Sequence, residues 1–185
     1  VNGTTTKYIL DINSSMSHVL METDADNNAQ NYYIHGSGLI ARVNSDGEIQ
    51  YYHPDIRGSV IAMTDENQNI THKYIYSDFG ELVNYVEPEN DQNNFRYAGI
   101  HGIIDELNGH YFIRARFYDV NNGRFISTDP IWSTNLYNFC HNNPIIYVDK
   151  NGKMPQIIGF AISGALLQGG HALAKEIFDW KRGIN

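Results

Sequence analysis

Residues 114–132, RARFYDVNNGRFISTDPIW, bring arginines, aromatic rings and two aspartates together around an Asn-Asn-Gly turn. A turn of this type joins two antiparallel strands. Arg116 and Asp129, thirteen residues apart in the sequence, can therefore meet again across one hairpin. Two interpretations follow. The pair is an ordinary contact in an inert strand-turn-strand, or it takes part in chemistry that cuts a peptide bond.

The composition is that of a globular protein with few charges. The chain has 185 residues, of which 42% are hydrophobic and 18% are charged, so it can bury a core. The formal charge is -8 and the 13 Lys and Arg are scattered, so we expect no nucleic-acid binding by this segment. Cys140 is the single cysteine and the eight histidines lack a short ligand spacing. We therefore expect no internal disulfide, no metal and no cofactor.

Five glycines mark a repeat of 20 to 22 residues: Gly38, Gly58, Gly80, Gly102 and Gly123. Aromatic residues precede the turn in each repeat. A second set of turn sequences, NSDGEI, DENQNI, EPENDQNN and DELNGH, lies about half a period away. Each period therefore predicts two short strands with a turn at either end. The expected fold is a mainly β, antiparallel meander of hairpins with little helix.

A sheet of repeated hairpins grows in one direction and needs both ends covered. Because the first strand would otherwise be a bare edge, we expect the chain to be the end of a longer array. Tyr74 and Tyr76 in HKYIYSD point to one face of their strand. Tyrosines on one face either stack between strands and stabilise the sheet, or form an aromatic platform that binds a glycan or a protein partner.

The repeat rhythm ends after Gly123. Loop sequences around Asp129 and Asn143 precede the strand-like IIYVD, so this region is expected to cap the array. From Met154 the sequence becomes apolar and rich in small residues, and it ends in an amphipathic helix pattern. We predict repeat strands over residues 1–112, a plug over residues 113–153 and the start of a variable C-terminal region over residues 154–185.

The apolar run over residues 157–173 leaves two alternatives. It contains Gln168, His171 and four glycines, and its length is marginal for a bilayer core of about 30 Å. It either contacts the membrane of a target cell or forms a helix that packs against the sheet. The polar interruptions favour the packed helix.

The sequence from FRYAG through DELNGHYFIRARFYDVNNGRFISTDPI to NLYNFCHNNPIIYVDKNGK resembles the RHS-repeat-associated core of bacterial RHS and YD-repeat proteins. The similarity is dense from about Tyr51 to Gly152. It implies a long β-sheet ribbon that spirals into a hollow shell, with the core segment closing one end as a plug. Relatives of this kind include toxin-complex C components and wall-associated proteins, and a variable toxin usually follows the core.

The resemblance also implies an aspartyl self-protease that cuts after a motif of the form Asp-Pro-x-Gly-Leu. Matched position by position, the family arginine falls on Arg116 and its two aspartates fall on Asp129 and Asp149. The scissile bond would join Lys153 to Met154. Two carboxylates brought close cannot both ionise, so one serves as an acid and the other as a base. The turns of the two motifs contain Gly123, Arg124, Asn151 and Gly152.

Three positions depart from the family motifs. Trp132 stands in place of glycine in the first motif, Lys150 in place of proline in the second, and Lys153 in place of leucine at the cleavage position. Loss of the proline removes rigidity from the turn. A lysine at the cleavage position is expected to need a pocket that usually takes an apolar side chain.

A purely structural alternative remains open for the same residues. Arg116 and Arg124 would make cross-strand ion pairs with Asp119 or Asp129, and Asp149 would accept backbone hydrogen bonds in its turn. Asp119 is also a second candidate for the carboxylate pair.

The resemblance implies a plug that closes a β-shell around a C-terminal toxin and releases it by cleavage after Lys153. The implied partners are the rest of the shell and the downstream toxin domain, and beyond them an immunity protein or a secretion apparatus. The implied location is secreted, on the bacterial cell surface, or injected into another cell. The alternative function is a cell-surface adhesion module that binds a glycan or a partner and has no enzymatic activity.

Overall fold

The computed structural model describes residues 5–14, 16–131 and 135–158. These residues form short strands and two single-turn 3-10 helices, η1 and η2. The strands are β1 (Lys7–Asp11), β2 (His18–Thr23), β3 (Ala29–His35), β4 (Leu39–Asn44), β5 (Ile49–Pro54), β6 (Val60–Thr64), β7 (Ile70–Tyr76), β8 (Leu82–Val86), β9 (Ile104–Asp105), β10 (His110–Ile113), β11 (Arg116–Asp119), β12 (Arg124–Phe125), β13 (Tyr147–Val148) and β14 (Gln156–Ile157). The helices are η1 (Gly99–His101) and η2 (Cys140–Asn142).

The first eight strands form one antiparallel sheet in which every strand pairs with the next along the chain. The prediction of a mainly β meander with little helix is confirmed. All five repeat glycines have a positive φ, which explains why glycine recurs there. At Gly80, φ is +92°, and an added Cβ would lie 2.8 Å from the ring of Tyr97. We call this sheet the meander.

Many turns of the meander are stabilised by an Asp or Asn side chain at their first residue. The carboxylate of Asp65 accepts hydrogen bonds from the backbone N–H groups of Asn67 (2.9 Å) and Asn69 (2.8 Å). Asp24 and Asp55 accept from the backbone N–H groups two and four residues later in the same way. Short polar side chains that satisfy the backbone locally favour turns over longer elements.

The inner face of the meander is covered by the segment that follows β8. Tyr33, Tyr52 and Tyr74 are buried on this face together with Phe95 from that segment. Arg42 pairs with Asp91 of the same segment, which ties it to the sheet. Because these tyrosine rings lie in the core, they stabilise the sheet and do not present an aromatic platform to solvent.

The second part of the structure contains a four-stranded sheet in the order β12-β11-β10-β9 and the hairpin β13-β14. We call the described residues from 99 to 158 the plug, a longer range than the plug predicted over residues 113–153. Its core is aromatic: Tyr118 and Phe139 are fully buried with ring centroids 4.1 Å apart, and Phe125 lies edge-on to both. β10 includes both residue 112 and residue 113, so the domain boundary predicted between them falls inside a strand. The division into domains stays a prediction.

The C-terminal region is described only as far as residue 158. Gln156 and Ile157 form β14, which pairs with β13. The predicted apolar run begins at Ile157, which the structure places in this strand and not in a helix. Residues 159–173 of the run lie outside the described residues, as does Trp132. In the part of the chain that the structure describes, no helix is long and apolar enough to cross a membrane. The same part contains no group of three or more His, Cys, Asp or Glu side chains that could hold a metal ion.

Candidate active site

Arg116 brings the two predicted aspartates together. It is the first residue of β11 and is 3% exposed. Its Nη2 lies 2.9 Å from Oδ2 of Asp129 and 3.7 Å from Oδ2 of Asp149. The first contact is a direct ion pair, whereas the second is longer than a hydrogen bond. Both carboxylates therefore face the same guanidinium nitrogen at unequal distances.

The hairpin predicted from the Asn-Asn-Gly turn accounts for the first of these contacts. Tyr118 pairs with Phe125 and Asp119 with Arg124, and Ile126 then donates its N–H to the carbonyl of Phe117. The chain thus runs back along β11 before it reaches Asp129. Gly123 lies in the turn with a φ of +64°.

Other contacts fix the guanidinium of Arg116 in one position. Its Nε donates to the carbonyl of Gly152 (2.5 Å) and its Nη1 donates to the carbonyl of Leu136 (3.2 Å). Its Cζ lies 3.5 Å from the centre of the Phe125 ring. Burial lowers the pKa of Arg116 and the two aspartates raise it, but arginine remains charged in proteins. A buried positive charge is therefore held against both carboxylates.

Asp149 has two oxygens in different environments. Oδ1 accepts hydrogen bonds from the backbone N–H groups of Asn151 (3.2 Å), Gly152 (2.8 Å) and Lys153 (3.3 Å). Oδ2 is buried and has no hydrogen-bond partner among the described residues. The residue is 0% exposed, and burial raises the pKa of its carboxyl above the ordinary value against the opposing effects of the backbone donors and Arg116. The environment thus favours a proton on Asp149.

Asp129 lies in a more open position. Its side chain is 11% exposed, and its Oδ1 accepts a hydrogen bond from the N–H of Ile131 (2.7 Å). Its own N–H donates to the carbonyl of Leu136 (2.8 Å), so one carbonyl group contacts both Asp129 and Arg116. Asp129 is therefore the closer of the two carboxylates to Arg116.

The loop that contains the predicted cleavage site is docked onto the turn between β10 and β11. At Gly152, φ is +68° and an added Cβ would overlap the carbonyl oxygen of Ile113 and lie 3.2 Å from the nitrogen of Arg116. The N–H of Ala115 donates to the carbonyl of Asn151 (3.4 Å). Only glycine allows the two backbones to approach this closely.

Arg114 binds the same loop and two other parts of the chain through backbone carbonyls. Its guanidinium donates to the carbonyls of Lys150, His101 (2.6 Å) and Ser17 (3.1 Å). These three acceptors belong to the cleavage loop, to η1 and to the turn between β1 and β2. One arginine of the plug therefore contacts the meander, η1 and the cleavage loop. Nothing in the sequence assigned a role to Arg114, although it stands two residues before Arg116 in the same motif.

The predicted scissile bond lies at the surface. Lys153 is exposed and Met154 is 57% exposed, and the chain then returns to pair with β13. The bond is therefore part of the turn of the β13-β14 hairpin. The expectation that Lys153 needs a pocket is not met, because its side chain points to solvent. Lys150, which stands in place of the family proline, has its carbonyl bonded by Arg114.

Asp119 is not part of this cluster. It is the last residue of β11, and its carboxylate accepts from the N–H groups of Asn121 (2.9 Å) and Asn122 (3.3 Å). Its side chain therefore closes the turn, and the hypothesis that it belongs to the carboxylate pair is wrong. Arg124 is exposed and its backbone pairs with Asp119 and Asn138.

A scan against protein-family models finds no match. Two curated relatives are WapA proteins of Bacillus. One, from Bacillus spizizenii, is named a tRNA3(Ser)-specific nuclease and is 35% identical over 173 residues. The other, from Bacillus subtilis subsp. natto, is named a tRNA(Glu)-specific nuclease and is 36% identical over 174 residues. The alignments cover 87% and 88% of this chain, but only 7% of each relative.

Solved toxin-complex structures share the fold. The Photorhabdus luminescens Tc holotoxin pore, determined with a substituted TccC3, aligns with a TM-score of 0.62 and 19% identity over 87% of this chain and 8% of its own. TcdB2-TccC3-Cdc42 aligns with a TM-score of 0.60 and 18% identity over 82% of this chain and 8% of its own.

The fold and the site together define a hairpin-repeat β-sheet whose plug holds a buried Arg-Asp-Asp cluster. The similarity to WapA and to the toxin-complex chains supports an RHS-type family for it. The chain spans less than a tenth of the length of these relatives.

Proposed function

We propose that this segment is the plug of an RHS-type toxin shell and that it acts as a single-turnover aspartyl self-protease. It would cut its own chain between Lys153 and Met154 and so free the segment that follows. Arg116, Asp129 and Asp149 would be the catalytic residues.

This proposal rests on the different distances from the Arg116 guanidinium to the two aspartates. The guanidinium contacts Asp129 at 2.9 Å but Asp149 only at 3.7 Å, and Oδ2 of Asp149 is buried without a hydrogen-bond partner among the described residues. Two nearby carboxylates in such different environments are expected to differ in protonation. Asp129 would be the charged base and Asp149 the protonated acid. A structural ion pair between Arg116 and Asp129 does not require a second buried carboxylate that faces the same guanidinium.

The reaction consumes one water. Asp129 would take a proton from the water as the water oxygen bonds to the carbonyl carbon of Lys153. Asp149 would give its proton to the nitrogen of Met154 as the bond between that carbon and that nitrogen breaks. The products are a carboxyl group at Lys153 and an amine at Met154. Exchange with solvent restores the proton on Asp149, but one turnover suffices.

The cleavage loop is already bound to the site, so little substrate affinity is needed. Gly152 contacts Arg116 through its carbonyl, and Asp149 lies four residues before the bond in the same turn. Holding reacting groups in place makes such a step effectively intramolecular. The exposed side chain of Lys153 is compatible with cleavage after a charged residue.

The toxin assignment rests on similarity. The WapA relatives are named nucleases and the fold neighbours belong to toxin complexes, which supports a toxin-related role for this segment. The plug would close the shell formed by the meander and preceding repeats, and a downstream toxin domain would be its cargo. Further partners would be an immunity protein or a secretion apparatus. The protein would then be exported, and it would act at or beyond the cell surface.

Intact-mass measurement of the purified full-length protein tests the cleavage. We expect two fragments that meet at Lys153 and Met154, and one uncut chain for Asp129→Asn and for Asp149→Asn. Asparagine keeps the shape of the side chain but removes its acid and base chemistry. Asp65→Asn changes a similar turn in the meander and should leave cleavage unchanged. An uncut parent protein would mean that the cluster has only a structural role. Cleavage that persists in both variants would mean that another protease makes the cut.

The shell is tested separately by limited proteolysis. A downstream domain enclosed by the shell should survive added protease that destroys the same domain when it is free. Equal rates of degradation would contradict encapsulation without affecting the self-cleavage proposal.

A further inference from the structure

The nitrogen of the predicted scissile bond has a specific side-chain partner. The N–H of Met154 donates to Oδ1 of Asn151 at 3.2 Å. The N–H of Lys153 donates to the same oxygen at 3.0 Å and to Asp149 at 3.3 Å. The N–H of Lys153 is thus shared between Asp149 and Asn151. The N–H of Met154, which belongs to the scissile bond, donates to Asn151.

Asn151 is itself held from both sides. Its own N–H donates to Oδ1 of Asp149 (3.2 Å), and its carbonyl accepts from the N–H of Ala115 (3.4 Å). The residue is therefore fixed between the candidate acid and the turn between β10 and β11. Its side-chain oxygen is presented to the scissile nitrogen by these two backbone contacts.

We propose that Asn151 is a further catalytic residue of the self-cleavage, which orients and stabilises the leaving nitrogen. The inference rests on the proposed function. An amide nitrogen cannot accept a proton well until it becomes pyramidal and its lone pair is released from resonance. An acceptor that holds its N–H on one side favours that geometry and leaves the lone pair free for a proton from another direction.

The hydrogen bond should also strengthen as the reaction proceeds. Water adds its oxygen to the Lys153 carbonyl carbon, the bond to the Met154 nitrogen breaks, and that nitrogen gains the proton of the acid. As positive charge develops there, its N–H becomes a better donor to Asn151, and charge-assisted hydrogen bonds are stronger than neutral ones. An interaction that strengthens towards the transition state raises the rate.

Cleavage kinetics in the full-length protein test the role. We would synthesise the protein in a cell-free system with a pulse of labelled amino acid and follow the fragments during the chase. Asn151→Leu keeps the branching at Cγ but removes the acceptor, and we expect cleavage to slow by about tenfold to hundredfold. Asn121→Leu, in the turn between β11 and β12, is the matched control and should cleave at the parent rate. Equal rates for Asn151→Leu and the parent would overturn the proposal.

Asn151→Asp separates catalysis from turn formation, because both residues favour turns. It restores an acceptor oxygen that ionises, so cleavage should recover relative to Asn151→Leu. Its pH profile should show one additional ionisation, with a faster rate when the introduced carboxylate is charged. A recovered rate with the parent pH profile would assign Asn151 to turn formation only and would contradict the proposal.

Amide hydrogen exchange tests the contact without cleavage. In full-length Asp129→Asn, the Met154 amide should be protected, and adding Asn151→Leu should remove that protection. An equally exposed amide in both proteins would overturn the inference. An uncut parent protein with a protected amide would instead contradict the proposed function, so the two failures are distinguishable.

Discussion

Asp65 in the meander and Asp149 in the plug occupy the same kind of turn, but the pKa values of their carboxyls are shifted in opposite directions. Each accepts hydrogen bonds from backbone N–H groups two to four residues later. Asp65 is partly exposed, and the amide of Asn69 lowers its pKa. Asp149 is fully buried, and burial raises its pKa. One local turn motif therefore gives opposite electrostatics in the two regions.

The difference comes from what surrounds each turn. The turn at Asp65 extends from the edge of the meander and is satisfied by its own residues. The turn at Asp149 is bonded by Arg114 and Arg116, which lie at the turn between β10 and β11 and donate to the carbonyls of Lys150 and Gly152. Docking of this kind buries the carboxylate and places a second one beside it. A common structural turn can thus become a candidate catalytic site through long-range contacts alone.

The largest expected contrast is between two glycines. Gly152→Ala should cost at least about 3 kcal/mol of unfolding free energy and abolish cleavage, because a Cβ would overlap the Ile113 carbonyl in addition to the strain of a positive φ. Gly47→Ala in the meander also has a positive φ, but its Cβ would meet nothing within 4 Å in the described structure, so it should cost only about 1 kcal/mol. Urea unfolding and intact mass measure both effects. Equal losses would show that the plug turn is no more constrained than a meander turn.

A smaller effect is expected from the arginine that joins the two regions. Arg114→Met removes hydrogen bonds to three carbonyls and should lower the unfolding free energy by about 3 kcal/mol and slow cleavage. Arg124→Met, at an exposed position, should change stability by less than about 0.5 kcal/mol. Urea unfolding of both variants tests this. An unchanged cleavage rate in Arg114→Met would mean that the loop is positioned without this contact.

The smallest expected effects concern how the unfolding free energy depends on pH. Asp149→Asn and Asp65→Asn should change this dependence in opposite directions. The raised pKa of Asp149 means that the folded protein binds this proton more tightly, so stability falls as the pH rises from the ordinary value of 3.8. The lowered pKa of Asp65 gives a contribution that is present above 3.8 and is lost as the pH falls through the folded value. With rising pH, Asp149→Asn should therefore gain stability relative to its parent and Asp65→Asn should lose it.

Urea unfolding over a pH series measures these slopes. Both substitutions should be made in an Asp129→Asn background, which is expected to keep the chain uncut. Slopes of the same sign would contradict the different environments of the two turns.

The meander could be predicted from the sequence because its interactions are local. Turn residues and alternating tyrosines indicate hairpins directly, and Gly58 and Gly80 lie between consecutive strands, as their spacing indicated. The end of the first sheet at β8 could not be predicted in the same way. β9 and β10 carry the same aromatic and glycine pattern as the repeats, yet β9 pairs with β10 and β10 pairs with β11, and neither pairs with β8.

The site could be predicted in part. The hairpin geometry that links Arg116 to Asp129 follows from a turn in the sequence, and Asp149 was identified through a family resemblance. The roles of Arg114 and Asn151 could not be predicted, because they depend on backbone groups of Lys150, Ser17 and Met154 that carry no sequence signature. Contacts of side chains with distant carbonyls appear only once the chain is folded.

The most direct test of the central claim is the order of the cleavage reaction in the full-length protein. Pulse-labelled protein would be diluted over a wide range of concentrations, and fragments would be followed by mass and by the N-terminal sequence of the released part. We predict a first-order reaction whose half-life does not depend on concentration and a new N-terminus at Met154, because the plug holds its own bond. A folded chain that stays intact, or a rate that rises with concentration, would contradict it.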